Sequence, residues 1–302
     1  MHGTKSCVGF RLRSEEEKKD LAARVVEKVK TCNGVEQVCN AMKVGGGRIM
    51  KREKVIKKYV KDRYARIAST GESCCPSCAC SANLVQQAKL IGYSERELNS
   101  VPEGAVLGLG CGNPTALAEL KEGETVLDLG PGGGLDVFLA ARKVGSKGKV
   151  IGVDMTPEMI EKARENAKKG HFLNVEFRLG EIENLPVEDN SIDVIISNCV
   201  INLSPDKLAT FKEAFRVLRP NGRILISDVV TEGELPDDVR RSFEAWAGCI
   251  AGALERQEYL DTIRKAGFRD VMIVGEHRYS VPNMDDRLTG NLSSIQVRAY
   301  KC

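Results

Sequence analysis

The chain has 302 residues, 42% of them hydrophobic, with a net charge of only +3; that is enough apolar material for a sizeable core in one large or two medium domains. No run of about 18 apolar residues offers a membrane span, and Met1-His2-Gly3-Thr4-Lys5-Ser6-Cys7 lacks the apolar core of a secretory signal, so a cytoplasmic protein without membrane contact is expected. Eleven cysteines, an odd number, in a reducing compartment exclude a complete disulfide framework and make metal binding or thiol chemistry the working expectation.

The first predicted element is a capped amphipathic helix over about 14–31, opened by Ser14-Glu15-Glu16-Glu17, with Leu21, Val25, Val26 and Val29 at helical spacing and Asn33-Gly34 as its stop. After Gly45-Gly46-Gly47 a second, basic helix is expected over about 51–68, leading into Gly71-Glu72-Ser73-Cys74-Cys75-Pro76-Ser77-Cys78-Ala79-Cys80. Residues 1–66 hold 18 Lys and Arg against 8 Asp and Glu, leaving 27 against 34 in the remainder. No recognition motif accompanies this basic excess, so a solvated helical face is the reading and nucleic acid is not an expected partner.

From Thr125 short apolar runs alternate with amphipathic stretches, the mark of βαβ units and a parallel sheet. Strands are expected at Thr125–Leu129, Lys149–Asp154, Val175–Leu179, Ile192–Asn198 and Arg223–Val229, with helices at Asp136–Val144, Pro157–Lys169 and Pro205–Leu218 and a turn at Asn221-Gly222. Further helices are expected over about Pro236–Gly252, holding Trp246 and Cys249, and over Gln257–Ala266; the weakly alternating tail would add edge strands. The boundaries drawn are 1–70, a basic helical extension; 71–230, a cysteine-bearing lead-in and α/β core; and 231–302, a helical segment and C-terminal α+β region.

Asp128-Leu129-Gly130-Pro131-Gly132-Gly133-Gly134 joins the first strand to the first core helix. Glycines there allow a tight turn and close backbone approach to a ligand at a helix N-terminus. A dinucleotide fingerprint needs its last glycine where Leu135 stands, which disfavours NAD. The D-x-G-x-G-x-G spacing instead resembles the first motif of the S-adenosylmethionine-dependent methyltransferases. That resemblance implies a class I, Rossmann-like fold, a mostly parallel sheet with helices on both faces. It implies Asp154 on the cofactor ribose with Met155 beside it, Glu181 and Ile182 near the adenine, and Asn198 next to the cofactor. With Asp128, Gly130, Pro131 and Gly132 these complete the expected cofactor set. Pro131 stands where a smaller residue is expected, and without an N–H it cannot donate to the cofactor.

Cys199 ends the fourth strand in Ser197-Asn198-Cys199-Val200-Ile201-Asn202-Leu203, at the sheet edge where ligands bind in open α/β folds. Alone it reads as a small buried hydrophobe or as a soft ligand. That segment, Trp246-Ala247-Gly248-Cys249-Ile250-Ala251-Gly252, Gly108-Leu109-Gly110-Cys111-Gly112-Asn113-Pro114 and the cluster from Ser73-Cys74-Cys75 together resemble the arsenite methyltransferases over about residues 55–275.

The resemblance implies Cys199 and Cys249 as core ligands of trivalent arsenic, with Cys75 and Cys111 supplying the third thiolate or the disulfide partner that reduces the oxidised product. Cys75, Cys199 and Cys249 form the arsenic set on this reading, with Cys74 an alternative to Cys75. Arsenite or an arsenic–thiol conjugate would be the substrate, and thioredoxin or glutathione the reductant. Thiolates suit a soft thiophilic centre, and an arsenic lone pair needs no base to attack a methyl group, which fits the isolated His171 and His277. Two rival readings are a methyltransferase of a small organic acceptor and a metalloid sensor. A zinc site at Cys75-Pro76-Ser77-Cys78 lacks a second half of matching spacing.

Overall fold

The computed structural model describes residues 48–70, 84–279 and 286–302. The expected helix at 14–31 and the cluster from Cys74 to Cys80 lie outside the described residues. The chain divides into two compact units, Met1–Lys54 and Val55–Cys302, and the second carries the features that follow. No helix of the described residues is long and apolar enough to cross a membrane.

Helix α1 (Arg48–Thr70) precedes three short helices, α2 (Leu84–Leu90), α3 (Glu95–Asn99) and α4 (Pro114–Leu117). The α/β core then runs β1 (Thr125–Leu129), α5 (Leu135–Val144), β2 (Lys149–Asp154), α6 (Pro157–Lys169), β3 (Val175–Leu179), β4 (Ile192–Asn198), α7 (Lys207–Val217) and β5 (Leu218–Thr231). It closes with α8 (Asp237–Arg241), α9 (Phe243–Ala247), α10 (Arg256–Lys265), β6 (Arg269–Arg278) and β7 (Leu292–Tyr300).

The seven strands form one sheet in the order β3-β2-β1-β4-β5-β7-β6. The first five pair in parallel, and β7 runs antiparallel to both β5 and β6. Near-continuous apolar runs in β1 and β4 fit strands covered on both faces. Leu127, Ile195 and Phe211 pack on one side, Val126, Val194 and Phe138 on the other. Local signals start the helices that cover them. Pro157 occupies the first turn of α6 with Glu158, while Lys168 and Lys169 close it; the Asp206 side chain caps α7 by accepting from Ala209 N at 2.9 Å.

Three differences from the sequence expectation have identifiable causes. The helix expected across 236–252 is split: Ser242 adopts φ −71°, ψ 121° and its hydroxyl accepts from Ala245 N at 3.1 Å, so it ends α8 and caps α9. Strand β5 starts earlier, at Leu218, because Leu218 pairs with Ile192 of β4 ahead of a register shift; at the Asn221-Gly222 turn Asn221 N donates to Lys301 O at 2.7 Å and Lys301 N to Gly222 O at 2.9 Å. In the tail, β6 is an edge strand as expected, but β7 lies inside the sheet. In register, Leu129 sits opposite Ser197 and Asn198 opposite Ser227, which brings the carboxyl ends of β1, β4 and β5 together.

Candidate active site

A cleft opens at the carboxyl ends of β1, β2 and β4. Its floor is the loop from β1 to α5. Gly130 holds φ 70°, Gly132 φ 53° and Gly134 φ 98°, all in the region that glycine enters without penalty. Gly130 is also a close-approach position, since a Cβ there would lie 2.5 Å from Val200 Cγ2. Pro131 lines the cleft, and its carbonyl accepts from Gly134 N at 2.8 Å, closing the turn into α5.

Asp154 ends β2 and its carboxylate binds the loops on either side, accepting from Gly132 N at 3.3 Å and Thr156 N at 2.8 Å. Asp128 is buried, and its Oδ2 has no hydrogen-bond partner. Burial, then the charges of Asp136 and Asp154, hold its carboxyl well above the usual range. Met155, Ile182 and Asn198 line the cleft.

Glu181 does not line it. Instead Lys57 of α1 donates to Glu181 Oε2 at 2.7 Å and lies 3.1 Å from Glu183, so the acid following β3 anchors α1, and the neighbouring Ile182 and Glu183 face the cleft. Sequence reasoning missed Tyr93 and Asp136, which also line it. Tyr93 OH donates to the Asp136 carboxylate at 2.8 Å, and burial raises the Asp136 pKa to about 6. An acid in the first turn after the glycine loop was a readable signal; Tyr93 sits in no motif.

Three cysteines gather beside the cleft lining at Cys199. Cys111, Cys199 and Cys249 are all buried, and Cys199 lines the cleft. Cys199 turns out of β4 at φ 63°, and Cys249 follows α9 at the same φ of 63°. The Cys249 thiol donates to the Cys199 carbonyl at 2.8 Å. Asn202 Nδ2 ties the two segments further, reaching Val229 O at 2.6 Å and Cys249 O at 3.4 Å. Gly252 is required beside it, because a Cβ there would overlap the Asn202 carbonyl.

Cys111 arrives from before the sheet. Its N–H donates to Asn198 Oδ1 at 2.9 Å, Gly112 N donates to the same oxygen at 3.3 Å, and Asn198 Nδ2 returns a bond to Gly112 O at 2.7 Å. Ser294 Oγ donates to the Cys111 carbonyl at 2.7 Å. The Cys111 and Cys199 sulfurs lie within 4.8 Å of each other. Interaction with the Cys111 and Cys249 side chains, added to burial, pushes the Cys199 thiol well above its usual pKa, and burial pushes Cys111 up as well. Cys75 lies outside the described residues, and Cys111 is the further cysteine that this geometry brings beside Cys199.

A third missed residue, Asp228, stands against these thiols: a carboxylate oxygen lies within 4.8 Å of both the Cys111 and Cys199 sulfurs. Tyr259 OH donates to its Oδ2 at 3.0 Å, and burial raises its pKa to about 7. Its place at the carboxyl end of β5 was the available signal.

Residues 120–267 match a family described as a methyltransferase domain. The arsenite methyltransferase of Halobacterium salinarum is 49% identical over 227 residues, covering 72% of this chain and 58% of that protein. The arsenite methyltransferase of Rattus norvegicus is 31% identical over 258 residues, covering 82% of this chain and 68% of that protein. The crystal structure of an arsenic(III) S-adenosylmethionine methyltransferase from Chlamydomonas reinhardtii superposes with a TM-score of 0.59 at 37% identity, covering 75% of each chain. This chain therefore spans less than two thirds of the Halobacterium relative's length.

Proposed function

The chain belongs to the arsenite methyltransferase family, and from that premise we propose that it methylates trivalent arsenic held by Cys111, Cys199 and Cys249, with S-adenosylmethionine as methyl donor. The observation that carries this reading is that buried Cys199 lines a nucleotide-type cleft while two further buried cysteines, Cys111 and Cys249, come against it.

The cleft fits that cofactor. Asp128 is not among the residues lining the cleft, but the buried carboxylate of Asp136 lines it and suits the cofactor's ammonium group, since a buried charge calls for an opposite one. The cradle at Gly130, which a Cβ would fill, suits close backbone approach, and Asp154 at the end of β2 is placed for ribose hydroxyls. When bound, S-adenosylmethionine supplies an electrophilic sulfonium methyl group.

The rest falls to the chain's own residues. Arsenite carries three hydroxides, and each thiol that binds it gives its proton to a departing hydroxide as water. Neutral thiols therefore serve, consistent with the raised pKa values of Cys111 and Cys199. Three sulfur ligands leave arsenic its lone pair, the nucleophile for methylation, and burial at the cleft edge holds it in place.

Methylation leaves arsenic oxidised by two electrons. A free cysteine thiol attacking an arsenic-bound cysteine sulfur forms a disulfide, breaks that arsenic–sulfur bond with its electron pair left on arsenic, and releases one proton. Cys75 and Cys111 are the pair proposed for this, with thioredoxin or glutathione restoring the thiols. Incubating the protein with arsenite, a thiol and S-adenosylmethionine and then separating the arsenic species tests the reading. Methylated arsenic is expected, and recovery of inorganic arsenic alone would overturn it.

A further inference from the structure

We propose that Cys111, Cys199 and Asp228 also form a site for a thiophilic divalent cation of the zinc and cadmium class, which competes with arsenic for the same thiols. Their ligand atoms, two sulfurs and one carboxylate oxygen, lie within 4.8 Å of one another, the one such group among the described residues. All three residues are buried, and Asp228 Oδ1 has no hydrogen-bond partner.

The carboxylate distinguishes the two guests. Trivalent arsenic is satisfied by three sulfurs and a lone pair and has no use for Asp228. Zn²⁺ takes four ligands at about 2.3 Å from sulfur and about 2.0–2.2 Å from oxygen, which puts tetrahedral neighbours about 3.8 Å apart or less, and the larger Cd²⁺ needs less contraction. Contraction of the present arrangement approaches that geometry, with a water as fourth ligand. Binding breaks two S–H bonds, forms two metal–sulfur bonds and one metal–oxygen bond, and releases two protons to solvent; no electrons move. Two thiolates, one carboxylate and a divalent cation leave a residual negative charge, and buried Lys207, whose charge is felt at Asp228, offsets it.

This inference shares its thiols with the arsenite reading but does not depend on methyl transfer. The test is Cd²⁺ titration of the reduced, cofactor-free full chain, read by sulfur-to-cadmium charge-transfer absorption, beside arsenite binding to the same samples. Asp228→Asn, whose amide oxygen can still accept from Tyr259, should weaken Cd²⁺ at this site by at least the about 10- to 100-fold that loss of a mere outer-shell partner costs, with arsenite affinity unchanged. In the unmodified protein, preloaded arsenite should block a single equivalent of Cd²⁺. Unaltered Cd²⁺ affinity in Asp228→Asn, or in a Cys111→Ser, Cys199→Ser double variant, would overturn the proposal, as would a Cd²⁺ stoichiometry indifferent to arsenite. Where the unmodified protein binds no arsenite the blocking arm does not apply, and Cd²⁺ affinity that still falls in Asp228→Asn and in the cysteine double variant would then sink the arsenite reading alone.

Discussion

Cys249 donates its thiol proton to the backbone carbonyl of Cys199 at 2.8 Å, and both residues hold the left-handed φ of 63°. A non-glycine residue in that region costs about 1–2 kcal/mol, so two cysteines that meet in space each carry backbone strain. Such strain persists where the surroundings over-determine it, typically at functional sites.

From this follows an inverted stability order. At an ordinary position glycine is less stable than alanine by about 0.5–1 kcal/mol. At Cys199 and Cys249 the glycine variant should be at least as stable as the alanine variant, measured by urea unfolding.

Asn198 joins the two halves of the thiol site. Its Oδ1 accepts from Cys111 N and Gly112 N, and Asn198→Ala would strand both donors, each at a cost of about 1–3 kcal/mol. A loss of roughly 2 kcal/mol or more in unfolding free energy is expected, together with weaker arsenite binding. Gly110→Ala should do similar damage from the opposite side, because its Cβ would lie 2.6 Å from Asn198 Nδ2.

Asp136 sets a pH signature. Burial raises its folded pKa from 3.8 to about 6. Between those values the folded state keeps a proton that the unfolded chain has released, so stability falls as pH rises through that window and levels off above about 6. Asp136→Asn should remove this fall, making the variant gain on the parent from pH 4 to pH 6.5 in urea titrations.

Lys57 bridges α1 to Glu181 and Glu183 from a partly exposed position. Lys57→Ala should cost no more than about 1 kcal/mol in stability, as exposed ion pairs do. Its larger effect should appear as weaker cofactor binding by calorimetry, since Glu183 and Ile182 line the cleft.

Strands β1 to β4 and the glycine loop were legible residue by residue, because a buried parallel strand is a bounded apolar run and a loop between strand and helix needs glycine. Legibility ended where distant segments decide. The Ile192–Leu218 pairing that lengthens β5 and the Lys57 bridge to Glu181 are tertiary events with weak local signals, whereas the Ser242 cap that splits a helix is a local bond to Ala245 N and was an available signal. Cys199 and Cys249 were readable as a pair only through the motifs around them. The place of Cys111 depends on the Asn198 side chain, which pattern reading assigned to the cofactor alone; in the structure Asn198 lines the cleft and also holds the Cys111 loop. Asp228 looked like one more residue of a buried strand.

The most direct test of the account is the rate of arsenite methylation by the unmodified protein and by the Cys199→Ser and Cys249→Ser variants, each first shown to be folded and to bind S-adenosylmethionine. The account predicts that both variants bind the cofactor and lose methylation of arsenite; variants that methylate arsenite as fast as the parent would contradict it.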